Sequence, residues 1–405
     1  MPKSFRAGFG TVENNMTRRP VDEAVFERMV AVRRDLHRHP ELAWQEERTA
    51  ERICQELDDL GIAHRRLCET GIVADLPGTP DTPAVALRAD IDALPIQEET
   101  GLPFASANEG VMHACGHDAH TSMLLGAAEL LARQGDLEAP VRLIFQPAEE
   151  TGSGAERMVQ AGALEGVAMI FGGHIDPRFP TGSLLLTPGT VNASTDTFRL
   201  TVSGKGGHAG RPHEAIDAIV LGSQIVTALQ AIVSRQVDPD APSVISVTMF
   251  NAGTAVNAIA EHAVLSGTLR AHDEGVRAYL RESMERIAGS IAKSHGATAV
   301  VEIEEGSPAV VNTPEMMELA REAAQEVVPE EGITRLPRAN MGGEDFGYYL
   351  QTVPGCYIRF GAQQAGRELH SAHSSRFDVN EEALAFGAAW YHRVALVAAR
   401  AVTRS

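Results

Sequence analysis

The chain has 405 residues, with 35 lysines and arginines against 54 aspartates and glutamates, a net charge of −19, and 44% hydrophobic residues. That length allows two or three domains and at least one large core, and so acidic a surface repels phosphate backbones, which sets nucleic acid aside as a partner. No apolar stretch approaches the ~18–20 residues of a membrane span.

In chain order, residues 1–19 read as a flexible tail: Met1 to Gly10 carry a few positive charges but no apolar segment of the signal-peptide kind. From Val21 to about Leu60 the spacing is helical. Met29, Val32 and Leu36 recur at i, i+3 and i+7, and a second helix through Thr49 to Ile53 runs toward Gly61, with His39-Pro40 as the break between them. Strands and helices then alternate: strands at Gly71 to Leu76 and Ala84 to Ala89, a helix from Thr121 to Ala132, a strand at Val141 to Phe145, a helix from Ser153 to Ala161, and a strand at Val167 to Phe171. This rhythm predicts an α/β fold with a mostly parallel sheet flanked by helices. From about Asn192 the texture changes. Strand, helix, strand, strand, helix and strand follow at Thr195–Val202, Glu214–Val233, Val244–Met249, Ala263–Arg270, Glu274–His295 and Thr298–Ile303. That order is ferredoxin-like. The expected organisation is a discontinuous catalytic domain, 20–191 and 306–405, interrupted by a small α+β domain at 192–305.

The four cysteines, Cys54, Cys68, Cys115 and Cys356, are scattered with no C-x-x-C pair, so a reducing, cytoplasmic setting is the default. Cys115 stands apart. The run His113-Ala114-Cys115-Gly116-His117-Asp118-Ala119-His120 packs three imidazoles, a thiol and a carboxylate into eight residues. One soft sulfur among imidazoles and carboxylates does not fit a closed structural zinc site, which takes two to four cysteines, and points to an open catalytic metal centre. Further polar clusters fall at or after predicted strand ends, where open α/β sheets bind their ligands. They are Arg88 to Pro95 with Asp90 and Asp92, Gln146 to Glu150, Gly172-Gly173-His174, and His370 with His373. Each has a plain alternative. Glu149-Glu150 could be a solvated pair, Asp90 and Asp92 helix caps, His174 a packing histidine and Cys115 a small buried hydrophobe. His113 and His120 read as supporting residues.

Five motifs make the chain resemble the co-catalytic dinuclear metallopeptidases of the aminoacylase and carboxypeptidase type. The similarity is to the amidohydrolase branch with hippurate hydrolase, indole-acetyl-amino-acid hydrolases and N-acetyl-diaminopimelate deacetylase. The motifs are Arg34 to Leu42 (R-D-L-H-R-H-P-E-L), Arg88 to Pro95, His113 to Asp118, Phe145 to Glu150, and Gly342-Gly343-Glu344-Asp345-Phe346. The resemblance implies a metal-dependent hydrolase of N-acyl amino acids, N-acetyl or hippurate-like, using two divalent ions (Mn, Zn, Co or Ni). The implied ligands are Cys115, His117, Glu150, His174 and His373, with His370 as the alternative to His373 because the family's proline is Ser375 here. Cys115 would bridge the ions. Glu149 would be the general base acting on an ion-activated water, and Asp92 a carboxylate beside the metals. His208, in the Gly-rich run Gly204 to His213, would steady the oxyanion, commonly in the active site of the other subunit of a homodimer. Asn257 and Arg270 would hold the substrate carboxylate. Two competing readings are a non-catalytic relative of the same fold and a dipeptidase or carboxypeptidase with the same machinery. Thiol catalysis by Cys115 is a third, without a resolving cysteine nearby.

Overall fold

A computed structural model describes residues 19–404; the expected tail at 1–19 lies outside them save for Arg19. Helix α1 (Glu23–Arg38) starts at Asp22, whose side chain accepts a hydrogen bond from Val25 N, and it buries Met29, Val32 and Leu36 as their spacing requires. It is followed by α2 (Glu47–Asp59), β1 (Ala63–Leu67), β2 (Gly71–Leu76), β3 (Ala84–Asp90), α3 (His117–Gln134), β4 (Val141–Gln146), α4 (Gly154–Gln160), β5 (Val167–Pro180), β6 (Leu184–Leu185) and β7 (Gly189–Asn192). Next come β8 (Ser194–Ser203), β9 (Gly207–His208), α5 (Ala218–Arg235), β10 (Ser243–Ala252), β11 (Ala258–Ile259), β12 (His262–Ala271), α6 (Glu274–Ser294) and β13 (Thr298–Glu305). The chain then returns through β14 (Val310–Asn312), α7 (Pro314–Gln325), β15 (Ile333–Thr334), α8 (Gly347–Leu350), β16 (Gly355–Gln363) and α9 (Ala383–Val402).

The large sheet runs β1-β2-β4-β3-β5-β16-β6-β15. Its centre, β4-β3-β5-β16, is parallel throughout. Helices α1, α3 and α9 cover one face, where Met29, Met123, Phe171 and Trp390 share the main core. A smaller core on the other face joins Ile144, Ile170, Phe346 and Tyr357. The second sheet, β10-β12-β8-β13, is antiparallel with α5 and α6 packed on it around Phe198, Leu229 and Leu280, the ferredoxin-like arrangement expected from the element order.

Where the two bodies join, Asp196 at the start of β8 accepts from Arg277 (2.6 Å), Arg281 (2.8 Å) and Gly306 N (3.2 Å). One buried carboxylate therefore ties the chain's entry into the small sheet to its exit. Burial opposes the charge on Asp196, and the hydrogen bonds from Arg277 and Arg281 outweigh it and hold its pKa below the usual carboxylate range.

Two elements differ from expectation in ways that matter for the site. Strand β5 does not stop at Phe171 but continues to Pro180 in parallel register with β16, so Gly172, Gly173 and His174 lie within the strand. A Cβ at Gly172 would stand 2.7 Å from the Phe346 ring and one at Gly173 2.6 Å from the Phe360 ring, so the glycines make room for aromatics rather than end the strand. Helix α3 starts at His117, one turn before Thr121. Contrary to the expectation that no apolar stretch reaches membrane length, helix α5 is long and apolar enough to cross a membrane, although Ser, Thr and Gln interrupt its run. Its buried side, Leu221, Ile225, Leu229 and Ile232, packs in the core of the small sheet.

Candidate metal centre

Gly116 caps α3 at φ 99°, a left-handed conformation suited to glycine, and a Cβ there would lie 2.6 Å from Ile175 Cγ2. The turn places Cys115 and His117 on either side of it at the C-terminal edge of the large sheet. His117 is fully buried; its Nδ1 contacts the Asp92 carbonyl (2.9 Å) and Oδ1 (3.1 Å), which leaves Nε2 facing the site without a hydrogen-bond partner. This fixed ring, with one nitrogen held and the other presented, is the usual preparation of a histidine for a metal. Burial opposes charge on His117, but the Asp90 carboxylate and the hydrogen bond His117 donates to Asp92 raise its pKa well above the ordinary value.

Glu149 and Glu150 follow β4 on a turn whose Ala148 adopts φ 54°. That strained residue is pinned by Ala148 N donating to Glu46 Oε1 (2.9 Å), while Thr70 Oγ1 donates to Glu46 Oε2 (2.8 Å). Both carboxylates face His117 Nε2, Glu149 at 3.8 Å and Glu150 at 3.9 Å. Glu150 N donates to Asp92 Oδ2 at 3.0 Å, so one aspartate orients both His117 and Glu150. Burial, then the carboxylates of Glu344, Glu150 and Asp345, push the pKa of Glu149 well above the carboxylate range.

On β5, His174 holds Nδ1 against the Ile175 carbonyl (2.6 Å) and turns Nε2 to Cys115 Sγ at 3.2 Å. His373 arrives from the loop after β16. Its φ is 68°, its N donates to the Ala114 carbonyl (2.8 Å), and its Nε2 lies 3.4 Å from Glu150 Oε2. His370 does not arrive; it lines a separate hollow of about 260 Å³ with Glu99 and Arg376. The donor atoms fall into two triads that share the thiol, Cys115–His117–His174 and Cys115–Glu150–His373, each with its atoms within 4.8 Å of one another. Unpartnered buried His117 Nε2 and Glu150 Oε1 point into this space. Imidazole, carboxylate and one shared thiolate suit two borderline divalent ions. Burial and the Glu150 carboxylate push the Cys115 thiol well above its ordinary pKa, so ion binding would have to displace its proton.

A buried ion cluster supports these residues from beneath. Arg88 Nη1 donates to Asp90 Oδ2 (2.5 Å) and Nη2 to Asp345 Oδ1 (3.0 Å), with Glu344 at 3.1 Å and Tyr357 OH donating to Glu344. Both nitrogens of His120 are already engaged, Nδ1 meeting Asp90 Oδ1 (2.5 Å) and Nε2 accepting from Ile175 N (2.8 Å), although its ring also groups with Asp90 and His117 within 4.8 Å. His113 is buried with neither nitrogen bonded, and burial lowers its pKa to about 3. Glu344 and Asp345, to which the motif Gly342 to Phe346 assigns no role, stand beside Glu149, all three within 4.8 Å.

A cleft of about 530 Å³ opens over the centre between the two sheets, lined by Cys115, Glu149, Glu150, His174 and His373 on one side and Thr195, Thr268 and Arg270 on the other. Arg270 on β12 is half-buried there, its nearest acceptor the Met341 carbonyl at 3.5 Å. His208 and Asn257 are not brought to this cleft. Both are exposed on the β9–β11 ribbon, where Ala209 N donates to the Asn257 carbonyl.

A model of peptidase family M20/M25/M40 matches residues 86–397. N-acetylcysteine deacetylase of Bacillus subtilis is 40% identical over 379 residues, 93% of this chain and 98% of that protein. N-acyl-L-amino acid amidohydrolase of Geobacillus stearothermophilus is 45% identical over 298 residues, 73% and 80% of the two chains. Among solved structures, the Bacillus subtilis YXEP protein, described as a dinuclear metal binding peptidase from the M20 family, superposes with TM-score 0.84 at 36% identity, covering 94% of this chain and 99% of that one.

Proposed function

The chain belongs to peptidase family M20/M25/M40, and on that premise we propose that it is a metal-dependent amidohydrolase that cleaves N-acyl amino acids. The observation that carries this reading is the pair of donor triads sharing Cys115 with Glu149 beside them. The catalytic part would be residues 20–191 and 306–405 and the lid 192–305. Cys115, His117, Glu150, His174 and His373 would hold two divalent ions, which when bound supply Lewis-acid polarisation of the amide carbonyl and an acidified water. Asp92 sets the orientation of His117 and Glu150 through its two oxygens. Glu149 takes the proton of the attacking water and returns it to the leaving amine; a carboxyl held up by burial and neighbouring acids suits both transfers. Arg270 offers its guanidinium to the substrate carboxylate across the cleft.

Incubation of the metal-loaded protein with N-acetyl, N-benzoyl and indole-acetyl amino acids should release free amino acid and acid in equal amounts. Release from dipeptides alone would favour a peptidase instead. Replacing His373 with Ala should lower bound metal from two equivalents toward one and abolish this release, whereas His370→Ala should leave both intact; the reverse pattern would reassign the ligand.

A homodimer would explain the places of His208 and Asn257. Strand β10 is an unpaired edge of the small sheet, and Met249, Phe250, Ile219 and Val220 are exposed beside it. Two such edges meeting about a twofold axis would continue the sheet and carry each ribbon toward the other cleft. Sedimentation velocity at micromolar concentration should give twice the chain mass, and Met249→Asp with Phe250→Asp should give the monomer with bound metal kept and turnover reduced. A wild-type monomer with full activity would contradict this. The four unpaired cysteines fit a reducing compartment, and the cytoplasm is our assignment.

A further inference from the structure

Arg359 lies on β16 in register with His174 on β5. It is 5% exposed and lines the cleft. Its Nη2 donates to Asn192 Oδ1 at 2.7 Å, but its buried Nε has no partner. Among the described residues no carboxylate pairs with it, unlike the buried arginines elsewhere: Arg33 meets Asp118, Arg88 meets Asp90, and Arg277 meets Asp196. At the cleft rim Arg178 is already neutralised by Asp176 at 2.6 Å. Arg270 faces the same cleft without a carboxylate. Both free guanidiniums rest on one segment. Asn192 Nδ2 donates to the Gly342 and Gly343 carbonyls (3.2 and 3.1 Å), and Arg270 Nη1 lies 3.6 Å from where a Cβ on Gly343 would stand.

An unpaired buried cation is costly to keep, and a chain with net charge −19 has carboxylates in excess with which to pair it. We propose that Arg359 is a specificity-determining residue that recognises a second carboxylate on the substrate, so that the favoured class is N-acyl amino acids bearing two negative charges. This deepens the hydrolase reading and rests on it: Arg270 takes one carboxylate and Arg359 the other, through the guanidinium donor Nη1 that Asn192 leaves free. The second carboxylate belongs either to the amino-acid side chain or to the acyl group, and the two are separable by experiment.

The test pairs each acid with its neutral isostere: N-acetyl-L-glutamate with N-acetyl-L-glutamine, and N-succinyl-L-alanine with N-succinamyl-L-alanine. Binding is read by calorimetry on metal-loaded protein carrying Glu149→Gln, and kcat/KM on the active enzyme. At least one acid should bind about 10-fold or more tighter than its amide, the scale of a charged hydrogen-bond pair, and which acid wins names the source of the charge. Arg359→Leu should erase that preference with the amides and the melting temperature unchanged, and Arg359→Lys should restore part of it. The proposal is overturned if neither acid is preferred, if the preference survives Arg359→Leu, or if acids and amides weaken together, as a purely structural arginine would give. Preferred binding of an acid without hydrolysis of any of the four would sink the hydrolase reading and leave the Arg359 assignment standing; equal hydrolysis of acids and amides would do the opposite.

Discussion

Glu149→Gln should lower kcat by about 10³-fold, within the range a positioned general base contributes, and leave two equivalents of metal bound. The substitution keeps the shape of the side chain and removes only its capacity to take a proton. Glu149 belongs to neither of the triads that share Cys115, so the donor set of both survives the change. Its surroundings also predict tolerance: replacing a buried carboxyl crowded by Glu344, Glu150 and Asp345 with an amide relieves repulsion. The variant should therefore fold and melt no lower than the wild type. The conservative change at the neighbouring position, Glu150→Gln, should behave in the opposite way and lose metal. Near-wild-type kcat in Glu149→Gln would assign the proton transfer elsewhere.

The second large effect is expected at Cys115. Its sulfur is the atom common to both triads, 3.2 Å from His174 Nε2 and grouped with Glu150 and His373 on its other side. Cys115→Ala should therefore reduce metal content below one equivalent per chain, as measured by elemental analysis after dialysis, and turnover should fall with it. Loss of a single ion would instead mean that the thiolate serves one site and does not join them. An unchanged two equivalents would end its role as a ligand. The residue sits in a small buried space before Gly116, so alanine fits without clash and the variant is expected to fold.

Much of this site was legible in the sequence because its chemistry is local. Cys115 and His117 flank a single glycine, and Glu149 with Glu150 follows an apolar strand that any reading of alternation finds. The boundaries were less visible. Gly172 and Gly173 look like the end of β5 in one dimension, and only the rings of Phe346 and Phe360 packed against them explain why the strand runs on through His174. The choice between His373 and His370 depends on a left-handed turn at His373 that three residues of spacing do not reveal. The supporting cluster was out of reach for another reason. Arg88 and Asp345 meet across 257 residues of chain, so their pairing exists only once β3 and the loop before α8 are folded side by side. Arg359 carries a fainter signal: a charged residue inside the apolar strand Cys356 to Phe360 demands a partner. His208 and Asn257 stand exposed on the β9–β11 ribbon, away from the cleft, and nothing in their spacing along the chain foretells that.

The most direct test of the account is a metal titration. Chelator-stripped protein is titrated with Mn²⁺, Zn²⁺ or Co²⁺ while release of free amino acid from its best N-acyl substrate is followed. Activity should be absent at the start, rise as metal is added and level off at two equivalents per chain. Hydrolysis by the stripped protein, or a plateau at one equivalent, would contradict a paired-ion amidohydrolase built on Cys115.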